Sequence, residues 1–314
     1  MGSIRAKSGS GEPSDCPPGS KPQATATPRG EVAPGLYLVA TPIGNLGDVS
    51  LRALDLLRSV DIVACEDTRV SRKLFAAHGI AAARLVAYHE HNAARMRPRL
   101  LVELDRGRSV ALISDAGTPL VSDPGYKLVR EALARGLAVS AVPGPSAPLA
   151  ALQLSGLPCA RFLFAGFLPA KAGERRKTLA ELRSIAATLV LFETAPRLAQ
   201  SLADMAELLG ARQAAVAREL TKRHEEVRRG SLAELGRHYR EAGPPKGEIT
   251  IVVGPPAAEA EPDETMLERM LRQALAECSL RDAVARVAAA SGLSRRRVYA
   301  RALALAKDAR PGPE

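Results

Sequence analysis

The chain has no tryptophan, and aromatic residues make up only 3% of its 314 positions. A module that grips nucleic-acid bases by stacking them on aromatic platforms is therefore disfavoured, and any nucleic-acid contact should rest on phosphates and shape. No apolar run approaches the roughly 18–20 residues needed to cross a bilayer, so no membrane role is expected. The N-terminus is Ser, Gly, Pro and Lys without an apolar h-region, and a secretory signal is not expected either. Four cysteines occur, Cys16, Cys65, Cys159 and Cys278, and no two share a C-x-x-C spacing. That argues against a zinc site or a disulfide framework and fits a reduced, cytoplasmic setting. Cys65 and Cys159 lie in apolar contexts and read as packing residues. The folded part also lacks G-x-x-x-x-G-K-[ST] and G-x-G-x-x-G. A phosphate-cradling NTPase or an ordinary dinucleotide enzyme is thus disfavoured.

Acidic residues are the scarcer charge. Net charge is +10, and residues 265–314 hold ten Arg/Lys against five Asp/Glu, half of the whole excess. Such a tail invites a polyanionic partner, although solubility alone would explain the charge equally well. Residues 1–34 carry hardly any large apolar side chain and should be a disordered tail. From Leu36 onward, short apolar runs alternate with helical patterns. Strands are expected at Leu36–Ala40, Val60–Cys65, Leu85–Tyr88, Val110–Ile113 and Leu137–Val142. This rhythm implies an α/β fold whose first domain, residues 35–155, is a parallel doubly wound sheet. A second α/β domain, 156–255, has strand candidates Phe162–Phe164, Thr188–Phe192, Ala214–Ala217 and Ile249–Val253, and short connections that suggest a mixed sheet. Residues 256–264 read as a linker, and 265–314 as a small basic helical domain.

Every strand of the first domain ends in polar, Gly or Pro residues. The densest such end is Ser114-Asp115-Ala116-Gly117-Thr118-Pro119-Leu120-Val121-Ser122-Asp123-Pro124-Gly125, directly after Val110–Ile113. Ligands of open α/β sheets lie outside the carboxyl ends of strands, and small residues there let backbone approach a ligand closely. Nearby strand ends add Thr41-Pro42-Ile43-Gly44-Asn45-Leu46-Gly47-Asp48, Glu66-Asp67-Thr68-Arg69 and Pro143-Gly144-Pro145-Ser146. Each is also a plausible turn or helix cap by itself; Asp48 or Ser50 could cap the first helix. Together they form a more specific set.

These motifs resemble the tetrapyrrole methylase superfamily, the class III S-adenosylmethionine methyltransferases, and within it the branch that acts on ribosomal RNA. Tyr88-His89-Glu90-His91-Asn92, Gly166-Phe167-Leu168-Pro169, Arg218-Glu219-Leu220-Thr221-Lys222 and Gly247-Glu248 extend the likeness, in order, across residues 36–254. Precorrin-acting members usually carry Gly-x-Gly-Pro-Gly-Asp after the first strand, where this chain has Pro42–Asp48. One departure stands at Phe192-Glu193-Thr194-Ala195-Pro196-Arg197-Leu198, where the family commonly has His at the position of Pro196. A proline cannot exchange protons, so no catalytic imidazole acts at 196.

The resemblance implies a two-domain methylase that binds S-adenosylmethionine in the interdomain cleft. It places Ser114, Asp115, Ala116, Gly117, Thr118, Pro143, Gly144, Pro145, Ser146 and Ala147 against the cofactor, with Glu193 and Glu248 adding contacts from the second domain. It further implies a homodimer acting in the cytoplasm on 16S rRNA of the small ribosomal subunit, at the ribose 2′-hydroxyl of a decoding-region cytidine. A 2′-hydroxyl is a poor nucleophile, so a base is expected among Glu66, Asp67, His89, Asp115 and Glu193. Glu66 and Asp67 are the first choice, because acids at a buried strand end are costly without a task. The plainer alternative is that Asp67 or Thr68 caps the next helix while Glu66 pairs with Arg69. His89 and His91 lack a third ligand of suitable spacing, so no metal is expected.

Basic residues suggest where RNA would bind. Arg95, Arg97 and Arg99 could flank the cleft mouth, as could the run Lys171, Arg175, Arg176 and Lys177, although a solvated helix face explains such runs equally well. The stronger pattern is Ser294 followed by Arg295-Arg296-Arg297 at a helix start, in a helix-turn-helix-like tail. Cations there oppose the helix macrodipole, which a sequence tuned only for stability would avoid. Two other functions fit parts of the chain: methylation of a tetrapyrrole precursor, which would make the basic tail superfluous, and a non-catalytic rRNA-binding assembly factor, which would need only the basic surfaces.

Overall fold

The computed structural model describes residues 32–81, 84–256 and 264–308. Cys16, most of the expected N-terminal tail and most of the expected linker lie outside the described residues. Two five-stranded sheets and a C-terminal helical unit make up the fold.

The first sheet contains β1 (Gly35–Val39), β2 (Ile62–Cys65), β3 (Arg84–Ala87), β4 (Ser109–Ile113) and β5 (Val139–Val142), all parallel, in the order β3-β2-β4-β1-β5. β2 and β4 are buried along their whole length, as strands covered on both faces should be. Helices α1 (Leu51–Ser59) and α2 (Thr68–Ala77) pack on one face through Ala53, Leu57, Leu74 and Phe75. α3 (Glu90–Asp105) and α4 (Tyr126–Ala134) pack on the other through Leu101, Leu104, Leu128 and Ala132. The chain therefore leaves β4 toward one face and leaves its neighbours β1 and β2 toward the opposite face. Such divergence opens a crevice at the strand ends. Here a crevice opens on both sides of the β4 loop.

The second sheet is mixed, as expected. It contains β6 (Phe162–Phe167), β7 (Thr188–Glu193), β8 (Gln213–Arg218), β9 (Glu226–Ser231) and β10 (Ile249–Val253), in the order β6-β7-β10-β8-β9. Only β6 and β7 run parallel. Helices α6 (Ala172–Leu182), α7 (Leu198–Leu209) and α8 (Leu232–Ala242) cover one face. The opposite face is covered by α5 (Ala147–Ser155), whose Ala151 and Leu152 pack on Val190, Ala215 and Val252. Sequence position placed α5 with the first domain, but its apolar side belongs to the second. β9 was not anticipated either. It is an edge strand with one large apolar residue, Val227, and backbone pairing to β8 carries it.

The C-terminal unit holds α9 (Glu264–Glu277), α10 (Leu280–Ser291) and α11 (Arg295–Asp308) around Leu271, Val287 and Val298. Ser279 caps α10, and Gly292 ends it in the left-handed region at φ 69°. Among the described residues, no helix is long and apolar enough to cross a membrane.

Candidate active site

Three loops at the carboxyl edge of the first sheet are stitched together. Thr41 exchanges backbone hydrogen bonds with Gly117 at 2.9 and 3.0 Å, and its hydroxyl donates to the Ser114 carbonyl. The Thr118 hydroxyl donates to the Pro145 carbonyl at 3.1 Å. Gly144 lies so close that an added Cβ would meet Ala40 Cβ at 3.0 Å. Pro143, Gly144 and Pro145 thus brace the loop after β1, while Ser146, Ala147 and Pro148 at the start of α5 face a cavity. Ser50, not Asp48, caps α1.

That cavity, about 470 Å³, lies between the two sheets. Its first-domain wall includes Ile43, Ala116, Gly117, Thr118 and Asp123. Its second-domain wall includes Phe167, Phe192, Thr194, Pro196, Gly247 and Glu248. The domains are latched beside it: Ile43 packs on Leu220, and the Asn45 N–H donates to the Thr221 hydroxyl at 3.1 Å. Gly247 stands at φ 100°, a conformation that favours glycine, and an added Cβ would also crowd the Glu219 carboxylate that pairs with Lys222. Lys222 also pairs with Glu248 at 3.0 Å. Pro196 lies in a single 3₁₀ turn, Ala195–Arg197, where its missing N–H costs no hydrogen bond.

The carboxylates around the site have different jobs. The Glu193 carboxylate is fully enclosed; it accepts from the Thr194 N–H at 2.7 Å and the Ser201 hydroxyl at 2.5 Å, and pairs with Arg197. It braces the cavity wall. Asp67 caps α2, accepts from the Arg69 N–H at 2.8 Å and pairs with the Arg69 guanidinium. Those bonds hold its carboxyl down to about 2. Capping is the better reading of Asp67, and it is Asp67, not Glu66, that pairs with Arg69. Glu66 lines neither the large cavity nor the smaller one beside α2; burial raises its carboxyl, with Asp123 and Asp115 adding to the rise. Asp123 lines the large cavity and forms no ion pair among the described residues. Burial pushes its carboxyl up, a Ser114 hydrogen bond opposes this, and Asp115 reinforces it. Two non-glycine residues in the left-handed region precede it, Leu120 at φ 73° and Ser122 at φ 65°. Strain of this kind persists where surrounding structure over-determines it.

Asp123, Phe167 and Phe192 were missed as site residues. A signal existed for the aromatics: Phe164, Phe167 and Phe192 are three of the chain's five phenylalanines, and their rings cluster 5.0–5.3 Å apart. Asp115 and Ser114 turn away from the large cavity and line a second one, about 190 Å³, against α2. Arg175 needs correcting outright. Its side chain is 5% exposed and pairs with Asp204 at 2.7 Å, so it is a core ion pair and not an RNA contact. Arg176 is tied to Asp204 and Glu207. Arg97 pairs with Glu131. Cys159 is exposed, not packed. The His89 and His91 rings lie 6.0 Å apart, and no group of three potential ligands could hold a metal among the described residues.

The family described as Tetrapyrrole (Corrin/Porphyrin) Methylases matches residues 35–236, and the RsmI C-terminal HTH domain matches 259–306. Ribosomal RNA small subunit methyltransferase I of Mesorhizobium japonicum is 54% identical over 283 residues, covering 90% of this chain and 95% of that protein. The chain belongs to the ribosomal RNA small subunit methyltransferase I family. The Halalkalibacterium halodurans member is 43% identical, covering 84% and 93%. Among solved structures, diphthine synthase superposes with TM-score 0.54 at 18% identity, covering 70% of this chain and 89% of that one. Uroporphyrin-III-C-methyltransferase of Thermus thermophilus does so at 0.51 and 24%, covering 70% and 93%. At those identities they share the fold.

The cofactor of this methyltransferase family is S-adenosylmethionine, and the large cavity fits it. The volume lies within the range of about 300–1,000 Å³ typical of small-molecule sites. Gly117 and Gly247 line it, so that backbone meets the ligand directly. Phe167 and Phe192 offer an apolar wall for a purine. The start of α5, where no side chain caps the helix, suits a carboxylate. Glu248, at the rim beside Lys222, suits the ammonium cation.

Proposed function

We propose that this chain methylates the 2′-hydroxyl of a cytidine ribose in the decoding region of 16S rRNA, with the small ribosomal subunit as substrate, as a cytoplasmic homodimer. The observation that supports this most is the joining of a cofactor-sized methylase cleft to a C-terminal helical unit that opens α11 with three exposed arginines. A tetrapyrrole methylase has no use for such a unit, and a scaffold has no use for the cleft.

In this reading, bound S-adenosylmethionine supplies an electrophilic methyl group on a sulfonium. The protein contributes alignment, exclusion of water and proton acceptance. Alignment comes from the stitched loops of the first domain and the latch at Asn45–Thr221. Proton acceptance falls to Asp123. Of the carboxylates in the large cavity, Glu193 is enclosed by its own partners and Glu248 is paired with Lys222. Asp123 replaces Glu66 and Asp67 as the candidate base.

The test is methyl transfer from labelled S-adenosylmethionine to small subunits from cells lacking this gene, with the modified nucleotide mapped. Label on a cytidine ribose is the expected result. Label absent from RNA but present on a tetrapyrrole precursor would overturn the reading. RNA affinity gives a second test. Arg295, Arg296 and Arg297 stand at a helix start without any acid in the first turn. Replacing all three with alanine should weaken RNA binding and flatten its salt dependence, by about 0.7–0.9 in log–log slope for each phosphate no longer neutralised. An unchanged slope would remove the tail from the RNA surface.

A further inference from the structure

The β4 loop has a cavity on each side, and the functional reading uses only the larger. Ala116 and Gly117 face the larger cavity, while Ser114 and Asp115 face the smaller, so a group held in the smaller one lies a single loop's thickness from the cofactor cleft. We propose that the smaller cavity receives the nucleobase of the acceptor nucleotide, that Asp115 reads a cytosine amino group there, and that cations of α2 hold the flanking phosphates. This rests on the reading of the chain as an RNA cytidine methylase.

Size and lining both fit a single base. The volume, about 190 Å³, lies below the roughly 300 Å³ at which drug-sized pockets begin. The walls are aliphatic: Pro42, Leu46, Val70 and Leu74. In a chain this poor in aromatics, the faces of a base must pack on such side chains. Leu46 and Val70 remain 45% and 37% exposed at the lip, although both are large and apolar. At the inner end, Asp115 accepts one hydrogen bond among the described residues, from the Asp67 N–H at 3.0 Å, and forms no ion pair among them. A half-buried carboxylate with acceptor capacity left over calls for a donor. Burial raises this carboxyl, the Asp67 N–H opposes the rise, and the Asp67 charge adds to it. Cytosine carries an amino donor at the position where uracil carries a carbonyl acceptor, and Asp accepts from that amino group.

The rim supplies the electrostatics. The first two turns of α2 carry Arg69, Arg72 and Lys73, all exposed, with no acid in the first turn. Of these, Arg69 lies in the first turn, where a cation opposes the macrodipole, so helix stability does not call for it there. Arg69 is 83% exposed, yet Asp67 holds its guanidinium with bonds of 2.6 and 3.0 Å. An exposed pair of this kind adds little stability, but it fixes a guanidinium in place for phosphate. Lys73 lines the cavity itself and can donate to a base carbonyl. The same Asp67 thus anchors Arg69 outward and Asp115 inward.

The test uses the full chain and small subunits carrying either cytidine or uridine at the acceptor position. Wild type should prefer cytidine by at least about tenfold, the discrimination one good base contact supplies. Asp115→Asn should lower kcat/KM on cytidine by about 10–100-fold and raise the relative rate on uridine, because an amide N–H can donate to the uracil carbonyl. Calorimetric affinity for S-adenosylmethionine should stay within about twofold, since Asp115 does not line the larger cavity. An unchanged cytidine-to-uridine ratio with normal cofactor affinity overturns the proposal. Should Asp115→Asn lose cofactor binding, Val70→Trp decides. Filling the cavity from its lip should raise KM for RNA at least tenfold with cofactor affinity retained, and an unchanged KM overturns the proposal. Wild type that labels neither substrate would sink the functional reading itself. That result is read from wild type alone and is distinct from a failed variant.

Discussion

Asp123→Asn should cut turnover by about 10²–10⁴-fold, the usual contribution of a positioned base. Affinity for S-adenosylmethionine, measured by calorimetry, should change by only a few fold. The substitution keeps size and shape and removes the charge and with it the ability to take a proton. The pH profile separates this from a structural effect. A base must be ionised to act, so turnover should fall as pH drops through the Asp123 value. That value lies above the ordinary aspartate range, chiefly because of burial, with the Asp115 charge adding to it and Ser114 opposing it. The acidic limb of kcat should therefore appear above the usual carboxylate region in wild type and be absent in Asp123→Asn. Glu66→Gln should act far more weakly and leave that limb in place, because Glu66 lines neither cavity and does not contribute to the rise at Asp123. Full turnover in Asp123→Asn, or an acidic limb that survives it, would assign the proton to another group.

Asp204→Ala should destabilise the second domain by about 3–5 kcal/mol, the cost of stranding one member of a buried ion pair. Asp204 accepts from Arg175 and Arg176 and from Gln200 at 3.2 Å, and its side chain is 6% exposed. Without it, the Arg175 guanidinium keeps the Ala170 carbonyl as its remaining partner but no counter-charge. At about 4–8 °C per kcal/mol for a domain of roughly 100 residues, thermal unfolding of that domain should drop by at least about 12 °C. Arg175→Met combined with Asp204→Leu should recover much of the loss, because replacing the whole pair by apolar groups removes both desolvation penalties. A drop below about 2 °C in the single variant would mean that water reaches Arg175. The wild-type residue is then a surface cation after all, and its place among RNA contacts would need to be restored.

Much of the molecule was legible because it depends on local pattern. Apolar runs alternating with helical stretches are enough for a parallel sheet covered on both faces, and polar, Gly and Pro residues at strand ends mark the edge where the site lies. The Ser114–Gly125 loop, the Ser50 and Asp67 caps and the basic start of α11 all follow from short-range rules of backbone and charge. What stayed hidden depends on partners distant in the chain. Arg175 looked like part of a solvated basic run until Asp204, on another helix, buried it. β9 has too little apolar content to announce itself and exists because β8 offers an unpaired edge. α5 follows the first sheet in sequence but covers the second, since that is where an uncovered apolar face remains. The division of labour between Asp115 and Asp123 is the clearest case. Both stand in one loop of like composition, and local pattern cannot tell them apart. The chain leaves β4 to the face opposite α1 and α2, opening a crevice on either side, and the left-handed turns at Leu120 and Ser122 carry Asp123 into the one while Asp115 stays with the other.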